Sequence, residues 1–136
     1  MKEPIWVQRA AVDAMHATLL ADHGGAPGLR DEGLLESALA RPRQIFAYSD
    51  CDLPQLAAAY VAGIVRNHPF VDGNKRTGFM TGYVFMERNG LRFTASEAEA
   101  AQAVLELAAG TVDEMGFTEF LRDHVKRVRA PRRSGA

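Results

Sequence analysis

The sequence predicts an all-α protein, a compact bundle of about six helices with at most a trace of strand. Three observations carry that expectation. Apolar residues recur at helical spacing through most of the chain, capping residues stand ahead of several of these runs, and only short stretches read as extended. With no internal repeat and no long linker, residues 1–130 are expected to form a single domain. Residues 131–136 are expected to be a basic, flexible tail.

The elements follow in order. Ile5-Trp6-Val7 reads as a short extended start. A helix then spans Gln8 to Ala21, with Val12, Met15 and Leu19 on one face and Ala11, Ala14 and Thr18 beside them. His23-Gly-Gly-Ala-Pro-Gly28 must be a loop, because its three glycines and a proline cannot continue a helix. Asp31 is placed to cap a short helix to about Ala40, facing Leu34, Leu35, Ala38 and Leu39 inward, and Pro42 is expected to stop it. Arg41 and Arg43 read as solvated surface, and Ile45, Phe46 and Tyr48 as a packed connection.

Asp52-Leu-Pro54 looks like the cap and first turn of a largely apolar helix covering Leu56 to Arg66. A second apolar run, Gly78 to Arg88, ends at the helix-stop pair Asn89-Gly90. Leu91 to Thr94 is short and extended. Ser96-Glu-Ala-Glu99 is a capping box that starts a helix to about Ala109, which Gly110 ends. Met115-Gly-Phe117 leads into a last helix, Thr118 to about Arg129, with Phe120, Leu121, Val125 and Val128 on its inner face.

Composition narrows the function classes. Sixteen Lys and Arg stand against seventeen Asp and Glu, a net charge of -1, which argues against a general nucleic-acid or membrane binder. The basic end, Lys126 to Arg133, has no aromatic interleaved with its charges and reads as a solubilising tail. Cys51 is alone, so no internal disulfide forms and a reducing compartment fits. The longest apolar run, Leu56 to Val65, is too short to span a membrane, and the first residues do not read as a secretion signal. A cytoplasmic location is expected.

Between the two apolar helices lies His68-Pro-Phe-Val-Asp-Gly-Asn-Lys-Arg-Thr77. If Gly73 or Asn74 opens the second helix, its first N–H groups lack partners and carry the positive end of the helix dipole, which makes an anion site. Lys75 and Arg76 add cations to that same turn, where they oppose the dipole unless an anion joins them. Asp72 is an oxygen ligand of the kind Mg²⁺ takes alongside substrate phosphates. His68 is the side chain here able to take a proton near neutral pH. Plain turn chemistry would account for Asp, Gly and Asn, and for Phe70 as a core plug, but not for His68 or the paired cations.

His68-Pro69-Phe70-Val71-Asp72-Gly73-Asn74-Lys75-Arg76 resembles the signature of the Fic/Doc (Fido) proteins. His-Pro-Phe and Gly73 look like the Fic side, whereas Lys75 in place of the second Fic glycine looks like Doc, the toxin of Phd/Doc toxin–antitoxin pairs. His23 to Asp31 and Leu34 to Pro42 also look Doc-like. The resemblance implies the all-α Fido fold. It further implies a toxin kinase that moves the γ-phosphate of ATP, with Mg²⁺, to a hydroxyl of a host protein, a threonine of elongation factor Tu, and so arrests translation. The roles implied are His68 as base, Asp72 as the Mg²⁺ ligand, and Gly73, Asn74, Lys75 and Arg76 as the phosphate site. A Phd-type antitoxin is the implied partner, its tail folding as a helix into an apolar groove near the motif. Transfer of AMP, as in Fic enzymes, and a non-catalytic nucleotide-binding module are the alternatives.

Other sites are weaker. Gly73 to Thr77 is superficially like a phosphate loop, but Phe79 follows Gly78 and a helix precedes the turn where that motif needs a strand. His16, His23, His68 and His124 lack the paired spacing of metal ligands. His16 is expected on a helix face and His124 on a polar one.

Overall fold

The computed structural model describes residues 1–128; the expected tail at 131–136 lies outside them. Six helices and two short strands make up the described part: α1 Arg9–His23, α2 Glu32–Tyr48, α3 Leu53–Asn67, α4 Asn74–Arg88, β1 Leu91–Phe93, α5 Glu97–Ala109, α6 Glu114–Asp123 and β2 Val125–Arg127. The all-α expectation holds, with one two-stranded antiparallel ribbon as the trace of strand. Among the described residues no helix is long and apolar enough to cross a membrane.

α3 is the axis of the bundle. Every residue from Leu56 to Val65 is buried, because α2, α4, α5 and α6 pack around it. Small residues allow the closest of these contacts. A Cβ on Gly78 would stand 2.8 Å from Val65 Cγ2, and one on Gly82 would stand 2.5 Å from Val61 Cγ2 and 3.1 Å from the Ala57 carbonyl oxygen. α4 thus lies backbone to backbone against α3, which sets its first turn beside the C-terminus of α3.

The N-terminal segment forms no regular element, yet it is anchored. Asn89 Nδ2 donates to the Ile5 carbonyl at 2.9 Å and Asn89 Oδ1 accepts from Ile5 N at 2.8 Å. Val7 N donates to the buried Tyr60 hydroxyl at 3.1 Å. Trp6 packs between Phe46 and Phe85, with Arg43 over its ring at 5.4 Å. Arg43 and Arg41 are both exposed, as expected; Arg41 pairs with Glu114 on α6.

Two elements depart from the sequence reading. α2 does not stop at Pro42 but runs through it to Tyr48. The proline forfeits one hydrogen bond, yet Leu35, Ala38, Leu39 and Pro42 form one continuous buried stripe that holds the helix on its neighbours. The last helix starts at Glu114, capped by Asp113 Oδ1 accepting from Gly116 N at 2.8 Å, and ends at Asp123 rather than Arg129. Val125 to Arg127 instead pairs with β1, with Leu91 opposite Arg127 and Phe93 opposite Val125. Val128, expected inside the helix, donates from its N–H to the Gly90 carbonyl at 2.7 Å. The unpaired backbone of β1 needed this partner, and that demand overrides helical spacing.

Candidate active site

α3 and α4 meet at the motif. α3 ends on His68, whose backbone is left-handed, with φ 49° and ψ 56°. It is the one non-glycine residue with positive φ among those described, a conformation that costs about 1 kcal/mol or more unless its surroundings hold it. Arg30 supplies such a hold. Its Nε donates to the His68 carbonyl at 2.6 Å and its Nη2 to the Asn67 carbonyl at 2.7 Å, so one guanidinium caps the end of α3. The Arg30 and Asp31 N–H groups both donate to the Pro69 carbonyl, at 2.7 and 2.9 Å. The imidazole of His68 stays exposed.

Asn74, the first residue of α4, braces the loop from within. Phe70 N–H can only donate, so the Asn74 atom 2.9 Å from it is Oδ1; Nδ2 then donates to the Phe70 carbonyl at 3.0 Å. The same Nδ2 lies 3.4 Å from His68 Nδ1, close enough to orient the ring but too long to fix its tautomer. The residue is 7% exposed. What Asn74 presents outward is therefore its backbone N–H rather than its amide.

The start of α4 differs from the starts of α2, α3, α5 and α6. Gly73, left-handed at φ 78° and ψ 18°, offers no side-chain cap, whereas Asp31, Asp52, Ser96 and Asp113 cap α2, α3, α5 and α6. The first intrahelical bond is Thr77 N to the Gly73 carbonyl, so the N–H groups of Asn74, Lys75 and Arg76 have no acceptor among the described residues. Lys75 and Arg76 are exposed, and neither pairs with a carboxylate there. Three N–H groups, a helix dipole and two cations converge on one turn.

Asp72 is held at the mouth of that turn. Its Oδ1 accepts from Gly73 N at 2.9 Å and its Oδ2 from Ala26 N, on the α1–α2 loop, at 3.2 Å. Each oxygen keeps a free lone pair toward solvent. No cluster of three or more His, Cys, Asp or Glu able to hold a metal exists among the described residues. A lone exposed carboxylate does not make a resident metal site. It does suit a Mg²⁺ that arrives on phosphates, since that ion keeps most of its ligands as water and phosphate oxygen.

Beside the helix start runs an open groove of about 500 Å³ between α1, α4 and α5. Leu19, Phe79, Met80, Val104 and Leu105 give it an apolar floor, and Lys75 and Arg76 stand at its edge with Glu97. A larger cleft of about 750 Å³, between the N-terminal residues, Cys51–Pro54 and the strands, contains no motif residue. Burial and the neighbouring Asp52 push the Cys51 thiol upward, which makes it less reactive than a free thiol.

The structure thus gathers His68, Asp72, Gly73, Asn74, Lys75 and Arg76 into one turn. Sequence reasoning missed two residues that hold it. Arg30 was legible only as part of a familiar flank. His16, buried and stacked on Phe70, was legible as a histidine within the apolar spacing of Val12, Met15 and Leu19. His124 is half-buried, its Nδ1 2.8 Å from the Phe120 carbonyl.

Comparison with known proteins shows a match that spans the motif. The family model described as "Fic/DOC family" matches residues 6–86, which include the whole motif. The chain is 32% identical over 110 residues to "Protein kinase doc" of Escherichia phage P1, covering 80% of this chain and 86% of that protein. It is 43% identical over 75 residues to "Toxin Doc" of Mycolicibacterium smegmatis (strain ATCC 700084 / mc(2)155), covering 53% of this chain and 57% of that one. The chain belongs to the Fic/Doc family, and these relatives lie on its Doc side.

Proposed function

We propose that this protein is a Doc-like toxin that transfers the γ-phosphate of ATP to a hydroxyl of a host protein. The observation that carries the reading is the exposed imidazole of His68, oriented by Asn74 beside an uncapped helix start that bears Lys75 and Arg76. A sensor of phosphate needs the helix start and its cations but no base. The phage P1 relative, named a protein kinase, supports phosphoryl transfer.

In the reaction the target hydroxyl oxygen bonds to the γ-phosphorus, the bond from that phosphorus to the β–γ bridging oxygen breaks, and ADP leaves. The unprotonated nitrogen of His68 takes the hydroxyl proton. The N–H groups of Asn74, Lys75 and Arg76, with the two side-chain cations, hold the phosphates and offset the charge on the transferring group. Gly73 admits the phosphates close to the backbone. Mg²⁺ arriving with ATP would be met by Asp72, and it neutralises phosphate charge.

Lys75 favours γ-phosphate over AMP transfer. A glycine there would leave room for a diphosphate against the helix start; a lysine fills that space and supplies its own cation. The target is a threonine of elongation factor Tu, by resemblance, and the outcome arrested translation in the cytoplasm. No Ser or Thr in this sequence has Glu four positions on, the internal brake of many Fic proteins, and a Phd-type antitoxin would supply restraint from outside. The groove between α1, α4 and α5 suits a Phd-type antitoxin tail folding as an amphipathic helix, with basic residues at its edge for an acidic partner.

His68→Ala tests the reading. The side chain is exposed, so its loss opens no cavity and the circular dichroism spectrum should be unchanged. Induced growth arrest should disappear, and co-expression of the neighbouring small reading frame should relieve the arrest caused by the unaltered protein. A folded His68→Ala protein that still arrests growth removes the proposal.

A further inference from the structure

His16 is a buried polar side chain that packs against the motif and that the transfer chemistry does not use. It sits on α1, 7% exposed, and its ring stacks on Phe70 with centroids 3.8 Å apart and planes 12° apart. Its Nε2 is 2.8 Å from the carbonyl oxygen of Asp72. A carbonyl oxygen only accepts, so Nε2 carries the hydrogen and donates it. A Cβ on Gly73 would lie 3.6 Å from two atoms of the same ring. One imidazole from a separate helix therefore meets Phe70, Asp72 and Gly73.

Packing alone does not call for an imidazole. Phenylalanine would stack on Phe70 without burying a polar N–H, which is costly unless that group finds a partner. The partner it finds is the peptide before Gly73, the residue whose backbone is least restricted by its own side chain. That peptide carries the Asp72 carboxylate on one side and leads into the free N–H groups of α4 on the other.

We infer that His16 is a positioning residue for phosphoryl transfer: its Nε2–H pins the Asp72–Gly73 peptide so that the carboxylate and the α4 helix start face the same phosphates. It touches no substrate. The inference rests on the transfer reading above, so its test has one readout that does not need activity.

Three variants separate donor from filler. His16→Gln keeps an N–H at the reach of Nε2, His16→Met has the same length without a donor, and His16→Phe keeps the ring without a donor. Each is compared in γ-phosphate transfer from saturating Mg²⁺·ATP to protein in a translation extract, and in hydrogen exchange of the amides of residues 71–76. The Met and Phe variants should lose about tenfold or more in rate and exchange faster over 71–76, whereas Gln should stay within about threefold of the unaltered protein. A packing role gives the opposite order, with Phe best and Gln no better than Met in rate and exchange, and that order overturns the inference. Should the Phe variant not fold, the Gln and Met pair decides alone. If His68→Ala, run alongside, transfers normally, the transfer reading fails; the exchange comparison still decides whether His16 holds the loop.

Discussion

Asn74 separates a phosphate ligand from a brace. Its amide accepts from Phe70 N at 2.9 Å and donates to the Phe70 carbonyl at 3.0 Å in a buried setting. Asn74→Ala strands both backbone groups. Each buried group left unpaired costs about 1–3 kcal/mol, and the site lies near enough to solvent for water to recover part of it. Alanine returns about half a kcal/mol as a better helix former at this first helical position. The net loss should be about 2 kcal/mol, or roughly 6–10 °C in Tm for a chain of this size. Calorimetry and urea unfolding without nucleotide read it directly. A side chain that served only to bind phosphate would leave the free protein unchanged, so a variant melting within a degree or two of the parent refutes the bracing argument.

Two further outcomes follow from the packing and the charges. Gly82→Ala sets propensity against sterics: alanine favours a helix by about 1 kcal/mol, but overpacking of this kind costs about 1–3. The rigid Ala57 carbonyl at 3.1 Å and Val61 Cγ2 at 2.5 Å leave the new methyl no room, so Tm should fall; a rise would show that α4 can move off α3 freely. Asp52 is the second case. Burial raises its pKa, but Arg122, with bonds at 3.0 and 3.2 Å, and the Gln55 N–H outweigh this and hold the carboxyl below its ordinary value. A lowered folded pKa gives stability that is present above about pH 4, the unfolded value, and lost as pH falls through the folded one. Asp52→Asn should therefore be less stable than the parent at pH 7, with the gap narrowing below about pH 4 in urea titrations; parallel pH profiles would contradict this.

The helices were legible because their signals are local. Asp52, Ser96 and Asp31 each cap the helix that their positions suggested, through a bond to the third residue on. Pro42 and the end of α6 were not, because their outcome depends on partners distant in sequence: a buried stripe in one case, the edge of β1 in the other. The site divides in the same way. His68, Asp72 and the cations could be read from type and spacing. The Arg30 clamp on the end of α3 and the His16 contact appear only once α1 and its following loop fold over the motif, and the inward turn of Asn74 needs the backbone of Phe70, four residues before it, brought against its amide.

The central claim is that this turn moves a γ-phosphate. The direct measurement is to incubate the protein and a translation extract with ATP labelled at either the α or the γ position, beside His68→Ala, and to follow label into protein. γ label alone should enter, His68→Ala should abolish it and Lys75→Gly should reduce it. Entry of α label from the unaltered protein would contradict the account and make AMP transfer the reaction, and entry of neither label would leave the turn without transfer activity.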